Sequence, residues 1–296
     1  MSKVCSSLLL LCVGACVELE PASDTTVDRP RIVAVIATPA EVAPSASVHY
    51  RAVIAAPDMT PVPSLQWSFC TTPRGPSDNA AAAPACATNV ERAIASTQLE
   101  IDVPVPGDAC MRFGSETPSG RAPNRADGTG GYYQPLRIEL AGGGVTLFRQ
   151  RIACALPNAP LSVARDYAQR YVPNTAPRIQ AIRVLAGGVT LDANAVPQLR
   201  ALTVELEVAD DARESYLLFD PHTGELTTKQ EELSAAWFTS AGVFDEAMTS
   251  IPATSVQNQL RRPGTGVVAQ VWIVLRDDRG GSTVQQQTLR LSGPSP

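Results

Sequence analysis

Hydrophobic residues from position 31 onward fall in short runs that are separated by proline, glycine, asparagine and aspartate. Short runs with little helical periodicity are typical of β-strands joined by turns. In the segment 48–55, every second residue lies on one face of an extended chain. The residues on that face are Val48, Tyr50, Ala52 and Ile54. The hydrophobic pattern therefore predicts an all-β protein.

Six strands are predicted in the first half of the chain. They cover residues 31–37, 48–55, 65–69, 97–103, 135–140 and 145–153, and the last two form a hairpin across 141–144. Two intervening stretches, 71–85 and 107–131, are poor in strand-forming residues and are predicted to be long loops. Long ordered loops are uncommon unless they are functional or cross-linked.

A second series of strands begins near Pro177. The segment 178–184 repeats the pattern of 31–36, since both are led by proline and arginine, and this weak repeat predicts two related domains. The run 267–276 is apolar on both faces, which favours a central strand of a sheet. The predicted strands of this half are 178–184, 199–208, 233–239, 267–276 and 283–291.

The predicted domains span residues 31–156 and 178–292, with a linker at 157–177 between them. In the linker, Leu161, Ala164, Tyr167 and Tyr171 recur at helical spacing, which indicates a short amphipathic helix. A stiff spacer flanked by prolines is the alternative interpretation.

The second half resembles the PKD and immunoglobulin-like modules of bacterial surface lipoproteins over about residues 178–292. Trp237 and the turn 277–281 (Asp-Asp-Arg-Gly-Gly) match that family's buried tryptophan and its hairpin before the final strand. In the first half Trp67 fits, but the turn is replaced by 141–144. The resemblance implies two tandem immunoglobulin/PKD-like β-sandwich domains, in which both tryptophans belong to the core.

The N-terminus has the pattern of a secretory signal peptide over residues 1–15. Lys3 precedes an apolar stretch from 4 to 13, and the small residues Gly14 and Ala15 follow. The apolar stretch is shorter than the roughly 20 residues that cross a bilayer as a helix. We therefore expect it to be removed by processing. The polar stretch 16–30 is predicted to be a flexible tether.

Val13, Gly14, Ala15 and Cys16 resemble a bacterial lipobox. In that family the cysteine becomes the mature N-terminus and carries lipid, so the resemblance implies lipid attachment (palmitate and diacylglyceryl) at Cys16. Val17 in place of aspartate implies the outer membrane, on its periplasmic face or at the cell surface. The alternative is an ordinary secretory signal with a chance cysteine at this position.

The charge of the chain disfavours a nucleic-acid partner. Its formal net charge is −5, and its 24 basic residues, of which only Lys3 and Lys229 are lysines, are dispersed along the sequence. Nucleic acids are held by clustered lysine and arginine. The membrane, through the N-terminal lipid, and an envelope protein or glycan are the partners that remain.

Four cysteines follow the predicted lipid site: Cys70, Cys86, Cys110 and Cys154. In an oxidising compartment four thiols indicate two disulfides. Three pairings are possible, and we favour Cys70 with Cys86, which flank one loop, and Cys110 with Cys154. A metal site or a nucleophilic thiol is disfavoured, because the cysteines lack the spacing of a zinc site and a nearby histidine.

Candidate chemistry is sparse, and the sequence predicts no catalytic residue, no cofactor and no metal. Its two histidines, His49 and His222, lie where solvated side chains are expected. The segment 124–131 is a weak match to a calcium loop. A group of acids near two turns could converge at one end of a sandwich and bind a divalent cation, although solvated turns are the plainer interpretation. These acids are Asp210, Asp211, Glu214, Asp277 and Asp278.

These features together predict a non-catalytic, lipid-anchored envelope protein with a structural or partner-binding role. Loops on a rigid scaffold are where recognition usually resides, so we expect the partner at the loops of the first domain. Tyr132 and Tyr133, next to the predicted loop 114–131, are candidate contact residues. The alternative function is a polysaccharide-acting hydrolase or its accessory module, which would need two carboxylates in a cleft.

Overall fold

The computed structural model describes residues 25–57, 63–73, 82–114, 129–156, 159–197, 199–261 and 268–291. The predicted signal peptide, Cys16 and residues 16–24 of the predicted tether lie outside this part of the chain, as do the central residues of both predicted long loops. Among the described residues, no helix is long and apolar enough to cross a membrane.

The described first half contains eight strands and two short helices, and a longer helix follows them. The strands are β1 (Arg31–Thr38), β2 (Glu41–Val42), β3 (Ser47–Ala55), β4 (Leu65–Phe69), β5 (Arg92–Ile94), β6 (Glu100–Pro104), β7 (Gly131–Leu140) and β8 (Gly144–Ala153). The helices are α1 (Pro84–Thr88), α2 (Ala109–Phe113) and α3 (Leu161–Arg170).

These strands form two sheets, which we call sheet I (order β2-β8-β7-β4-β5) and sheet II (order β1-β3-β6). Neighbouring strands are antiparallel except β2, which runs parallel to β8. The sheets pack face to face around Tyr50, Trp67 and Leu136, each fully buried. Trp67 donates its Nε1–H to the carbonyl of Gln98 at 2.9 Å, which satisfies its polar group, as a buried indole requires.

The described second half contains eleven strands. They are β9 (Ile179–Ala186), β10 (Val189–Thr190), β11 (Ala201–Val208), β12 (Ser215–Asp220), β13 (Glu225–Gln230), β14 (Leu233–Thr239), β15 (Val243–Phe244), β16 (Met248–Ile251), β17 (Ser255–Arg261), β18 (Val268–Asp277) and β19 (Ser282–Arg290). Sheet III has the order β16-β14-β18-β19, sheet IV has the order β10-β9-β11-β17-β15, and β12 pairs with β13 as a separate hairpin.

Sheets III and IV enclose a second core around Leu206, Trp237 and Ile273. Trp237 is fully buried and donates its Nε1–H to Thr249 Oγ1 at 2.8 Å. The protein is therefore all-β and consists of β-sandwiches, as the hydrophobic pattern predicts. Both tryptophans belong to cores, which confirms that neither is a surface platform for a ligand.

The outer faces of sheets II and III pack against each other, so the described chain forms four stacked layers in the order I, II, III, IV. Val274 of β18 clusters with Ala34 of β1, and Trp272 clusters with Val33 and Ala55. The odd-numbered residues from Ala269 to Leu275 face the core of their own sandwich. On the other face, Trp272 and Val274 are covered by the first sandwich, whereas Val268 at the start of the strand is 51% exposed. This explains why the run 267–276 is apolar on both faces, and its prediction as a central strand is confirmed.

Strand β1 contains a bulge that faces β18 of the second sandwich. Val33 is the extra residue between the pairs Ile32↔Ile54 and Ala34↔Val53. A bulged residue lies outside the regular ladder of hydrogen bonds. The carbonyl of Val33 accepts a hydrogen bond from Arg276 Nη2 of β18 at 3.4 Å. The bulge therefore contributes a contact between the sandwiches.

Helix α3 confirms the helical interpretation of the segment 161–171, and its role is to brace the two halves. Its buried residue Tyr167 packs with Leu156, which follows the first sandwich, and with Leu217 and Phe219 of the β12–β13 hairpin. Neither strand of the hairpin is among the predicted strands: β13 is mostly polar and exposed, and β12 is an apolar run that the prediction omits. It supplies the apolar surface that holds the helix.

The predicted flexible tether is wrong for the residues that the structure describes. Thr25 and Val27 form a short parallel pairing with Thr239: the Val27 N–H donates to the Thr239 carbonyl at 2.8 Å, and the Thr239 N–H donates to the Thr25 carbonyl at 2.8 Å. Val27 is buried against Val33, Ala55 and Trp272. This segment is ordered because it buries an apolar side chain between the sandwiches.

Two further predictions need correction. The strand predicted at 97–103 is β6, which begins only at Glu100, because the carbonyls of Thr97 and Gln98 turn toward β4 and bind Leu65 and Trp67. The loop predicted at 107–131 contains α2, and α1 begins at Pro84, near the end of the loop predicted at 71–85. Residues 74–81 and 115–128 of those loops lie outside the described residues.

Candidate functional site

The principal polar feature is a buried cluster between the sandwiches, which we call the seam. It consists of Glu41, Arg151, Glu214, Glu231, Asp277 and Arg279. The cluster begins with the turn after β18, where Asp277 Oδ1 accepts the backbone N–H groups of Arg279 at 2.9 Å and Gly281 at 2.8 Å. A Cβ at Gly281 would lie 2.2 Å from Asp277 Oδ2, so this carboxylate requires glycine there.

Arg279 is directed inward and binds two carboxylates. Its Nε lies 2.7 Å from Glu231 Oε1, and its Nη2 lies 2.6 Å from Glu214 Oε2. The Arg279 side chain is 2% exposed and the Glu231 side chain is 0% exposed. Burial raises the pKa of Glu231. Burial, together with the charge on Glu231, raises the pKa of Asp277 to about 7, because removal from water disfavours the charged carboxylate.

Arg151 and Glu41 form a second buried ion pair in the first sandwich. Arg151 Nε lies 3.1 Å from Glu41 Oε2, with the side chains 1% and 0% exposed. Arg151 Nη2 also donates to Thr129 Oγ1 at 2.7 Å. A Cβ at Gly131 would lie 2.0 Å from the Arg151 guanidinium carbon, so the start of β7 must be glycine for the arginine to fit.

The residues after α3 connect the two ion pairs. The backbone N–H of Asn174 donates to Glu41 Oε2 at 2.8 Å, and its Nδ2 donates to Asp277 Oδ1 at 3.3 Å. Tyr171 OH donates to Glu41 Oε1. Tyr133 OH of β7 donates to the carbonyl of Arg279 at 3.2 Å. The seam is therefore continuous from the first sandwich, through the linker, to the second.

The seam accounts for part of the predicted acidic cluster. Glu214 is paired with the Arg279 guanidinium, and Asp277 accepts the backbone N–H of the same arginine. Asp278 binds Tyr216 OH at 3.0 Å and Lys229 Nζ at 2.9 Å. Asp211 forms an exposed pair with Arg178. Within the described residues, no group of three or more His, Cys, Asp or Glu residues has the arrangement of a metal site.

The four cysteines form the two favoured disulfides. Cys70 pairs with Cys86 of α1, with Cα atoms 5.5 Å apart, and Cys110 of α2 pairs with Cys154, with Cα atoms 5.8 Å apart. The predicted pairing is therefore confirmed. Each disulfide fixes one of the short helices that interrupt the predicted loops. Residues 124–128, the main part of the calcium-like segment, lie outside the described residues.

Tyr132 and Tyr133, which were predicted as contact residues next to a loop, both lie in strand β7, where Tyr132 is buried and Tyr133 is partly exposed. Tyr132 is 4% exposed and belongs to the core between sheets I and II. The Tyr133 ring packs under Arg149, whose Cζ lies 4.9 Å from the ring centroid, and its hydroxyl joins the seam. The alternation of β7 forces this outcome, because adjacent residues must face opposite sides of the sheet.

The histidines lie apart and are exposed. His49 Nδ1 is 3.1 Å from Asp102 Oδ1 on the neighbouring strand, and His222 lies in the turn between β12 and β13. Two concave surfaces of the described residues involve the first sandwich. One, of about 290 Å³, lies between the sandwiches and includes Tyr133, Arg149 and Arg276 in its wall. The other, of about 720 Å³, lies beside the start of β4 and has a mixed lining of hydroxyl, amide and apolar side chains with one carboxylate, Glu139.

Comparisons with known proteins do not assign a family. No family model and no curated protein matches the sequence. Among solved structures, the D0-D1 domain of intimin aligns with 88% of this chain and 98% of its own, at 9% identity and a TM-score of 0.23. The human OSCAR ligand-binding domain aligns with 90% of this chain and 100% of its own, at 10% identity and 0.23. The Yersinia pseudotuberculosis adhesin InvE aligns with 89% of this chain and 63% of its own, at 11% and 0.23.

Proposed function

We propose that this chain is a lipid-anchored envelope protein of the outer membrane that binds a protein or glycan partner without catalysing a reaction. The observation that supports the proposal most is the seam. Its carboxylates are bound to arginines, backbone amides and hydroxyls that join the sandwiches. Acidic groups used in this way hold the two sandwiches as one body, which suits a rigid scaffold that presents loops.

The partner is proposed to bind at the end of the first sandwich that carries the disulfides. Helices α1 and α2 are fixed there by Cys86 and Cys110. Two apolar side chains next to these cysteines are exposed: Val90 at 40% and Met111 at 48%. Exposed apolar groups on a fixed scaffold favour contact with a partner.

The lipid anchor is tested by metabolic labelling with a fatty acid. The parent protein should be labelled and the Cys16→Ser variant should not, because the proposed acceptor is the Cys16 thiol. A Ser2→Ala variant, altered outside the lipobox, is the matched control and should retain the label. Equal labelling of Cys16→Ser and the parent would overturn the anchor.

Partner binding is tested by photo-crosslinking in the native envelope. A photoreactive residue at Met111 should capture a defined product, whereas one at Val189, which is 66% exposed on β10, should not capture the same product. Identical products from both positions would contradict binding at the disulfide end. Release of soluble sugars from envelope polysaccharide by the purified protein, and no release by the heat-denatured protein, would favour the hydrolase alternative instead.

A further inference from the structure

The docked segment Thr25–Val27 fixes where the mature chain enters the folded body. Thr26 Oγ1 donates to the Gly242 carbonyl at 3.1 Å, and the Phe244 N–H donates to Thr25 Oγ1 at 3.1 Å. With the backbone pairing to Thr239, these bonds attach the segment to one end of the second sandwich. We call this end, formed by residues 239–244 and the start of β18, the entry end.

The seam lies at the opposite end of the same strands. β18 begins at the entry end, where the Ser240 N–H donates to the Gln270 carbonyl at 2.9 Å, and finishes at Asp277 in the seam. A strand of ten residues at about 3.4 Å per residue is roughly 30 Å long. The entry end and the seam end are therefore separated by about this distance.

Strand β1 of the first sandwich also runs from the entry end toward the seam end. β1 starts where Arg31 Cζ lies 4.8 Å from the Phe238 ring centroid, and further along it the Val35 carbonyl accepts from Ser282 Oγ at 3.1 Å. The chain then reaches Glu41 in the seam, and β2 pairs with the end of β8 just before Cys154. The Cys110–Cys154 disulfide therefore lies at the seam end, away from the entry point.

The distance from the lipid site to the entry end is limited by the covalent chain. Nine residues separate Cys16 from Thr25 in number, and a fully extended chain covers at most about 3.3–3.6 Å per residue, or roughly 30 Å. The entry end therefore cannot be further than this from a lipid attached to Cys16. The covalent chain does not hold the seam end close to the lipid in this way, because residues 25–27 are bound at the entry end.

We infer that the entry end faces the lipid bilayer and that the seam end, with the disulfides and the β12–β13 hairpin, is directed away from it. The partner of the entry end is a lipid surface. This inference rests on the proposed lipid anchor. It deepens the proposed function, since it leaves the disulfide end free for a partner in solution or in the opposite envelope layer.

The test uses the full-length lipidated protein in vesicles that contain a lipid with a quencher on its headgroup. A fluorophore is attached to one introduced cysteine, either Val189→Cys on β10 at the entry end or His222→Cys in the β12–β13 turn. Both positions are exposed. We expect loss of fluorescence at position 189 and retention of fluorescence at position 222.

Two controls make the outcomes distinct. The same labelled variants carrying Cys16→Ser should show no loss at either position, and fatty-acid labelling of the parent reports the anchor by itself. If Cys16 carries lipid and both positions lose fluorescence equally, or position 222 loses more, the orientation is wrong while the proposed function stands. If Cys16 carries no lipid, the proposed function fails and the orientation fails with it.

Discussion

Arg279 is the arginine of the seam that pairs with two carboxylates. It is a buried cation with two carboxylates on it, Glu231 and Glu214, and its side chain also packs against the Tyr216 ring at 5.0 Å. A buried ion pair adds little net stability when complete, because desolvation offsets the attraction. Removal of one partner is costly, since it leaves the other charge buried without compensation.

Arg279→Met should therefore lower the free energy of unfolding by about 3–5 kcal/mol. Chemical denaturation of the purified protein measures this. The matched control is Arg178→Met, which removes an exposed pair with Asp211 and should change stability little. Equal losses in the two variants would show that the burial of Arg279 has no energetic consequence.

Asp277 should make the fold less stable as the pH rises. A carboxyl whose pKa is higher in the folded protein than in the unfolded chain binds its proton more tightly when folded. Its stabilisation is present at low pH and is lost as the pH rises through the folded pKa, which burial raises to about 7. Between about pH 5 and about pH 8 the loss from this group should be roughly 3 kcal/mol.

The variant Asp277→Asn should lack this part of the pH dependence, because an amide does not titrate. The measurement is the free energy of unfolding of both proteins at the two pH values. Because the charge on Glu231 contributes to the raised pKa of Asp277, the two carboxyls titrate together, and the comparison reports the titration of Asp277 together with its effect on Glu231. If both proteins lose the same stability between the two pH values, Asp277 does not titrate in this range.

At the scale of single residues, sequence reasoning identified the core tryptophans and the disulfide pairs but misjudged the charged turn. Trp67 and Trp237 lie on alternating apolar strands, which is a local signal. The inward direction of Arg279 has no local signal, since the sequence 277–281 is equally typical of a solvated turn. Its burial depends on Asn174 and Tyr133, which come from other parts of the chain.

Among the elements, the small helices α1 and α2 depend on covalent support. Each has five residues and lacks a side-chain hydrogen bond at its N-cap, and helices this short are not stable alone. Each is bound by a disulfide to the sheet or to the segment beside it. The loop closed by Cys110–Cys154 spans 44 residues and that closed by Cys70–Cys86 spans 16.

Removal of the longer cross-link should be the more harmful of the two. In the chain-entropy model, the double variant Cys110→Ser/Cys154→Ser should lose about 4 kcal/mol and Cys70→Ser/Cys86→Ser about 3 kcal/mol. Thermal or chemical denaturation under non-reducing conditions gives the order. A larger loss for the shorter loop would indicate that local contacts of α1, rather than loop entropy, determine the cost.

Two of the strands that sequence reasoning missed, β13 and β17, lack a strong hydrophobic alternation of their own, whereas β12 was missed although it is a mostly buried apolar run. β4 and β14 were predicted with their observed bounds, because each is an apolar run with a buried tryptophan. β13 has mostly exposed polar residues, and β17 alternates a few buried residues with polar ones. Both segments are strands because they form backbone hydrogen bonds with a neighbouring strand, β12 for β13 and β11 for β17. The hydrophobic pattern of one segment does not show such a partner.

For the whole molecule, the packing of sheet II on sheet III means that neither sandwich has a polar outer face there. Trp272 is 3% exposed and Val274 is 0% exposed in the intact protein, although both lie on the outer face of sheet III. The prediction of two domains along the chain did not include this contact. The contact is made by apolar residues on the outer face of β18. The sequence shows that this face is apolar, but it does not show which part of the chain covers it.

A chain of residues 178–296 produced alone should therefore self-associate. Burial of an apolar side chain is worth about 1.5–3 kcal/mol, and both Trp272 and Val274 would become exposed. Size-exclusion chromatography and light scattering measure the association. The matched variant Trp272→Gln/Val274→Thr should be more monomeric. A monomeric parent fragment would show that the outer face of sheet III does not need the first sandwich.

The pairing of Thr26 with Gly242 joins residues that are 216 positions apart in sequence, and this has a consequence for biogenesis. A chain that is exported from its N-terminus completes the first sandwich long before β14 is available. Until then Val27 and the outer face of sheet II have nothing to cover them, and contacts so distant in sequence form slowly. A chain with this topology therefore exposes apolar surface until β14 is made, and the last step of its folding closes the chain onto its own beginning.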